Sequence, residues 1–276
     1  MPTTLTQPRP ATVALATGVR LHHVEQGDTD GEALVLVHGW PDSWYSFSRV
    51  LAVLPPRHHA YALDLRGFGR SDRPETGYTI DDLAADVVAF LDAAGIGRAT
   101  LVGHSMGSFV ARRAARIAPD RVAALVLIGS AESTVNAVTQ EVRTLIADLP
   151  DPVPVEFARE FAAGTVHVRL PDPFFDGVVA ESAAVPARVW RSTWEGFLAY
   201  DDTAELAGIS APTLVVWGEH DGLFDREQQD RLVRRIPGAR LVVHPDAGHC
   251  PNWERPGRVA DDIEAFLTAV ASGTKD

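Results

Sequence analysis

Short, uninterrupted apolar runs punctuate the chain, separated by stretches whose apolar residues recur at helical spacing. The runs are Ala33-Leu34-Val35-Leu36-Val37-His38, Ala60-Tyr61-Ala62-Leu63-Asp64, Ala99-Thr100-Leu101-Val102-Gly103 and Val122-Ala123-Ala124-Leu125-Val126-Leu127-Ile128. Val/Leu runs without polar interruption suit strands buried on both faces, the condition found in parallel sheets. Ahead of them, Val13 to Leu15 and Val19 to Val24 flank Gly18 and predict a β-hairpin. Helices are predicted over 44–54, 80–94 and 106–117. In the second, Leu83, Val87, Phe90, Leu91 and Ala94 fall on one helical face. Strand and helix alternate, which predicts a mostly parallel sheet with helices on both sides.

After Gly129 the rhythm breaks. Residues 130–204 hold prolines and aromatics but no buried-strand run, with amphipathic helices predicted at 136–147 and 185–198. The alternation resumes with an apolar run at 213–217, a helix near 226–235, a run at 239–243 and a closing helix over 258–270. The expectation is an α/β core formed by 1–129 and 205–276, interrupted by a helical lid at 130–204.

Composition narrows the partners. In 276 residues, 46% are hydrophobic and 22% charged, the mix of an ordinary globular protein, which excludes disordered and fibrous classes. Acidic residues outnumber basic ones 37 to 25, a net charge of −12, so phosphate backbones and anionic lipid surfaces are repelled. Neither a nucleic-acid nor a membrane partner is expected. The single cysteine, Cys250, permits no intrachain disulfide and no thiolate metal cluster. No apolar run approaches the ~18 residues of a membrane span. The polar, proline-rich residues 1–10 do not read as a signal peptide, so a cytoplasmic location is expected.

Candidate chemistry sits at the ends of the apolar runs. Gly103-His104-Ser105-Met106-Gly107 matches G-x-S-x-G where a strand ends and a helix begins. A nucleophile on so sharp a turn stands clear of the backbone, and the residues two before and two after it must be small. The helix that follows points its first amides and positive dipole end at the site. A serine hydroxyl needs a base, usually a histidine oriented by a carboxylate. Of ten histidines, His249 in Asp246-Ala247-Gly248-His249 follows the last core strand and is the expected base. His22, His23, His58 and His59 read as surface or edge residues, His104 as a neighbour pointing elsewhere, His167 as part of the insert and His244 as a strand exit. For the acid, Asp221 follows the 213–217 run, with Glu219 and Asp225 on the same loop and Glu132 after the preceding strand as rivals. Cys250 beside His249 reads as a small packing residue rather than a second nucleophile.

The order Ser105, Asp221, His249, within an interrupted α/β pattern spanning about Val13 to Val270, resembles the α/β-hydrolase fold superfamily, in its serine-nucleophile members with a helical cap. His38-Gly39-Trp40-Pro41-Asp42-Ser43 is similar to the family's oxyanion loop. The stretch from Asp64 to Asp72, the loop at 217–221 and Gly248-His249 echo further family segments. The resemblance implies an eight-stranded sheet, a catalytic triad of Ser105, Asp221 and His249, and an oxyanion hole from the backbone N–H groups of Trp40 and Met106. It implies acyl transfer on a small ester or lactone, with no metal and no organic cofactor.

Other family reactions are weighed by residue. Epoxide hydrolases and haloalkane dehalogenases share the style of the 38–43 loop but attack through an aspartate, and Ser105 argues against both. Carbon–carbon bond hydrolases often carry a tryptophan just after the histidine, as Trp253 does here, and Arg188 or Arg191 would then hold a substrate carboxylate. Cofactor-free perhydrolases, hydroxynitrile lyases and ligand-binding receptors with little turnover share the triad. In the insert, Trp190 and Trp194 lie one helical turn apart. With Phe174, Phe175, Phe197 and Leu223 they line an expected pocket for an apolar or aromatic substrate, the alternative being that they glue the lid to the core. A homodimer is left open.

Overall fold

The computed structural model describes residues 4–273; residues 1–3 of the polar leading stretch lie outside them. One eight-stranded sheet runs through the molecule in the order β1-β2-β4-β3-β5-β6-β7-β8. The strands are β1 (Thr4–Ala14), β2 (Arg20–Asp28), β3 (Glu32–Val37), β4 (His58–Leu63), β5 (Ala99–His104), β6 (Val122–Ile128), β7 (Thr213–Gly218) and β8 (Arg240–His244). The hairpin β1–β2 and the β2–β4 pair are antiparallel, and every later pair is parallel. This is the mostly parallel sheet that the residue pattern predicts and the α/β-hydrolase architecture that the family resemblance implies.

The apolar runs work by alternation. In β3, Val35 and Val37 enter one core while Leu34 and Leu36 enter the other, and β6 splits likewise into Leu125 and Leu127 against Val126 and Ile128. One core lies under α2 (Ile80–Ala93) and α3 (Met106–Ile117), the other under α1 (Ser48–Leu51) and α10 (Pro256–Ala271). Each such leucine is fully enclosed, so truncation to alanine costs about 2–5 kcal/mol. The α2 helix starts on a capping box, Thr79 accepting from the Asp82 N–H while the Asp82 carboxylate accepts from Thr79.

Order along the sheet places the site. From β3 the chain crosses to β4 on one side, and from β5 it crosses to β6 on the other. The carboxyl ends of β3 and β5 therefore flank a topological switch point, where a crevice opens. The segments that leave there are 38–41 and 104–106.

Three expectations change. The helix over 44–54 is two short turns, a 3-10 turn at Trp44–Phe47 and α1. Ser43 caps the first, and Pro55 follows close behind the second. Between β6 and β7 stand four α-helices rather than two: α4 (Ala137–Ile146), α5 (Val155–Gly164), α6 (Asp172–Ala183) and α7 (Ala187–Leu198). Pro154 and Pro171 hid α5 and α6, because they punctuate the sequence as breakers yet stand at helix starts, where a missing N–H costs nothing. His22, His23, His58 and His59 are buried rather than surface residues. Each has found a partner: His22 Nδ1 lies 2.8 Å from Asp64, His23 packs edge-on to Phe90, His58 meets Glu264 and His59 receives the Tyr61 hydroxyl. No helix among the described residues is long and apolar enough to cross a membrane.

Burial holds the imidazoles of His23, His38 and His104 below the ordinary histidine value, His104 to about 3. The folded protein resists protons that the unfolded chain accepts once pH drops below about 6.5. Stability is therefore complete above that value and declines as pH falls toward the folded-state values. Thermal unfolding followed by circular dichroism should show Tm falling steadily from ~pH 7 to ~pH 4.5. A flat profile across that window would contradict the buried, neutral state of these rings.

Candidate active site

The turn from β5 into α3 carries Ser105 at φ 51°, ψ −123°, the one positive-φ residue other than glycine among the described residues. Such a conformation costs on the order of 1–3 kcal/mol and persists only where its surroundings impose it. The neighbouring glycines explain how. A Cβ on Gly103 would lie 2.2 Å from the Gly107 carbonyl oxygen, and one on Gly107 would lie 2.2 Å from that of Val37. Strand, helix and the exit of β3 thus touch through bare backbone, and the serine is levered outward. On Gly39, a Cβ would stand 3.0 Å from that of Ser105, so the oxyanion-like loop passes directly beside the hydroxyl. Met106 is the first residue of α3, so its amide has no intrahelical acceptor.

His249 reaches this serine from the loop after β8. Its Nε2 lies 2.8 Å from Ser105 Oγ, and its Nδ1 lies 2.9 Å from Asp221 Oδ2. The Asp221 side chain is fully buried, and its other oxygen accepts the Leu223 and Phe224 N–H groups at 2.8 and 3.1 Å. With Oδ1 occupied, Oδ2 is left for the imidazole. Nδ1–H then donates to the carboxylate, and Nε2 presents its lone pair to the serine hydroxyl. Gly129 makes room for the ring, since a Cβ there would fall 3.2 Å from His249 Cε1.

The rival acids lie elsewhere. Glu132 is held by Arg231 and Arg235, Asp225 caps α8 (Arg226–Arg235) by accepting the Gln228 N–H, and Glu219 is exposed. Among the histidines, His104 is buried with its Nε2 3.2 Å from the His249 carbonyl oxygen, so it braces the main chain of His249. His38 spans the neighbouring loop: Nδ1–H donates to the Gly39 carbonyl and Nε2 accepts the Leu65 N–H. The Cys250 thiol meets Thr165, and burial pushes it well up, which suits packing and not nucleophilic attack.

A cavity of about 20 Å³, the space of roughly one water, opens beside Ser105. Its walls include Trp40, Phe161, Trp194, Leu223 and Trp253. Trp194 and Leu223 are thus on it, whereas Trp190 and Phe174 are not. Trp190 packs edge-on to the Trp40 ring and donates its indole N–H to the Ser182 carbonyl, and Phe174 stacks on Tyr45. Neither Arg188 nor Arg191 faces the cavity. Arg188 donates to the carbonyls of Arg73 and Pro74, and Arg191 to that of Leu149.

Side chains without an expected role also gather here. The Trp40 ring lies between Phe161, Trp190 and Trp194 at centroid distances of 5.3, 4.8 and 4.3 Å, which ties the loop after β3 to α5 and α7. Asp42 lines the cavity with its carboxyl raised well above the ordinary range by burial; the nearest ring nitrogen is His104 Nδ1 at 3.9 Å. Glu254 accepts N–H groups from both the His249 loop and the segment after α5. Aromatic residues in 155–164 were visible in the sequence, but the helix that aims Phe161 inward was not. No cluster of three or more His, Cys, Asp or Glu side chains suited to a metal ion occurs among the described residues.

A family model for the alpha/beta hydrolase fold matches residues 32–256. A non-heme chloroperoxidase of Streptomyces lividans is 33% identical over 93% of this chain and 99% of its own. Epoxide hydrolase A of Mycobacterium tuberculosis is 30% identical over 92% of this chain and 95% of its own. In structure, an esterase from Thermogutta terrifontis superposes with a TM-score of 0.83 at 27% identity, covering 95% of this chain and 99% of that one.

The strain at Ser105 is open to measurement. Ser105→Gly should be more stable than Ser105→Ala by about 1 kcal/mol, strain relief outweighing the added freedom of the unfolded chain. Urea unfolding of the two variants would read it, and equal midpoints would mean that the turn is unstrained.

Proposed function

The chain belongs to the α/β-hydrolase fold family, and from that premise we propose that it is a serine hydrolase cleaving a small carboxylic ester or lactone through an acyl-enzyme on Ser105. The observation that carries this reading is the unbroken hydrogen-bonded line Ser105–His249–Asp221 on the strained turn. Ser105 Oγ attacks the substrate carbonyl carbon as His249 Nε2 takes its proton. The resulting imidazolium is stabilised by Asp221. The Trp40 and Met106 amides face the developing oxyanion, each donor contributing ~3 kcal/mol to the transition state. Collapse expels the alkoxide, which takes the proton from His249. Water, deprotonated by the same nitrogen, then attacks the acyl-enzyme and releases the acid. None of these steps requires a metal or an organic cofactor.

Chemistry separates this from the epoxide hydrolase relative. A carboxylate nucleophile that opens an epoxide leaves an ester, which water can cleave at its carbonyl. Serine doing the same would leave an ether with no carbonyl to attack, and the enzyme would stop after one turnover. Arg188 and Arg191, the residues expected to hold a ring-cleavage substrate's carboxylate, are engaged with main-chain carbonyls away from the cavity, which favours the ester or lactone reading. Similarity to the chloroperoxidase supports a second reading, in which hydrogen peroxide replaces water and the acyl-enzyme yields a peracid.

Residues 130–204 act in this proposal as a cap. The aromatic walls favour an apolar acyl group, and a cavity the size of one water admits it only when the cap or its loops shift. Assays of short-chain p-nitrophenyl esters and small lactones should give saturable turnover that Ser105→Ala reduces at least ~1,000-fold. Turnover surviving in Ser105→Ala, or absent from wild type across the panel, would overturn the esterase–lactonase reading. Peracid formation on adding peroxide would favour the second one.

A further inference from the structure

We propose that Glu254 is a positioning residue for His249, clamping the histidine loop to the segment that follows α5. This rests on the reading of His249 as the general base. Glu254 ends a four-residue helix, α9 (Pro251–Glu254), directly after the histidine, and it is buried. Its Oε1 accepts the Gly248 N–H at 2.7 Å. Its Oε2 accepts the N–H groups of His167 and Val168 at 2.8 and 2.9 Å. Both oxygens accept main-chain N–H groups, an arrangement that a carboxamide, with one oxygen and one NH₂, cannot reproduce.

The two segments it joins are in backbone contact. The His249 N–H donates to the Thr165 carbonyl at 2.9 Å, and a Cβ on Gly248 would lie 2.8 Å from the His167 nitrogen. Residues 248–249 are therefore held from one side by 165–168 and from below by Glu254, while His104 braces the His249 carbonyl. An imidazole on a loop has no helix or strand of its own to fix it. Here three points of the main chain on either side of its Cα are restrained, and the Glu254 side chain hydrogen-bonds to both segments. Glutamine cannot substitute. Whichever way its amide is turned, the NH₂ meets N–H donors, and either Gly248 or the His167–Val168 pair loses its acceptor.

The probe is a fluorophosphonate, which reads Ser105–His249 activation without knowledge of the substrate: Ser105 Oγ bonds to phosphorus, fluoride leaves, and the hydroxyl proton passes to His249. Glu254→Gln should slow labelling by about 10- to 100-fold, the scale of small misplacements of a catalytic group. Folding would be checked by Tm and labelling done well below it. The far-downfield proton resonance of the His249 Nδ1–H bonded to Asp221 should weaken or vanish, a change that loss of stability alone does not bring. Wild-type labelling rate and an intact resonance in folded Glu254→Gln would overturn the proposal. A wild type inert to the probe would instead overturn the serine reading on which it rests. If the variant does not fold, hydrogen exchange on wild type decides: slow exchange of the Gly248, His167 and Val168 amides supports the clamp, and exchange at open-loop rates overturns it.

Discussion

Everything at the site depends on how closely three pieces of backbone approach one another. The end of β5, the start of α3 and the exit of β3 meet at Gly103, Gly107 and Gly39, where there is no space for even one methyl group without something moving. That contact forces the conformation of Ser105, brings the 38–41 loop alongside its hydroxyl, and leaves the first amide of α3 uncommitted. The strain of 1–3 kcal/mol is a sizeable part of a net stability that is typically 5–15 kcal/mol. It is sustained by the buried faces of β3, β5 and α3, so the sheet's two cores and the reactive turn are one mechanical system.

Two loops with no secondary structure of their own are then fixed by side chains. The loop after β3 is held from the core by His38, which bridges Gly39 and Leu65, and from the other side by the Trp40 ring among Phe161, Trp190 and Trp194. The Trp40 indole also donates to the Trp190 carbonyl. Displacement of α5 or α7 would therefore pull on Trp40, the residue whose amide is proposed to face the oxyanion.

Much of this was legible in the sequence because the features are local or strictly ordered. Fully buried strands read as continuous Val/Leu runs, and G-x-S-x-G marked the turn through its steric requirement. Asp221 and His249 followed from their place after β7 and β8. What was not legible depends on contacts across the chain. The buried histidines looked like surface residues because Asp64, Phe90 and Glu264 are remote in sequence from the rings they meet. α5 and α6 were masked by prolines that start helices as readily as they end them. Trp190 and Trp194 share a helical face and both pack on the Trp40 ring, yet only Trp194 lines the cavity. Periodicity gives the face of a helix and not which of its side chains borders a cavity.

Charge is the remaining constraint. The protein carries a net −12, and Asp221 places a carboxylate inside the site. A tetrahedral intermediate adds a further negative charge, so its stabilisation must come from groups a few ångströms away. In the proposed mechanism the α3 N-terminus would supply about half a positive charge and its free amides, and His249 a full one on taking the serine proton. Asp42 fits the same logic. A second anion in the cavity wall would oppose the oxyanion directly, and burial without a cationic partner drives its carboxyl toward the neutral form. Asp221, the carboxylate whose charge the proposed mechanism would use, lies on the other side of the imidazole from Ser105 Oγ, so that a protonated ring would stand between it and the oxygen where negative charge would develop.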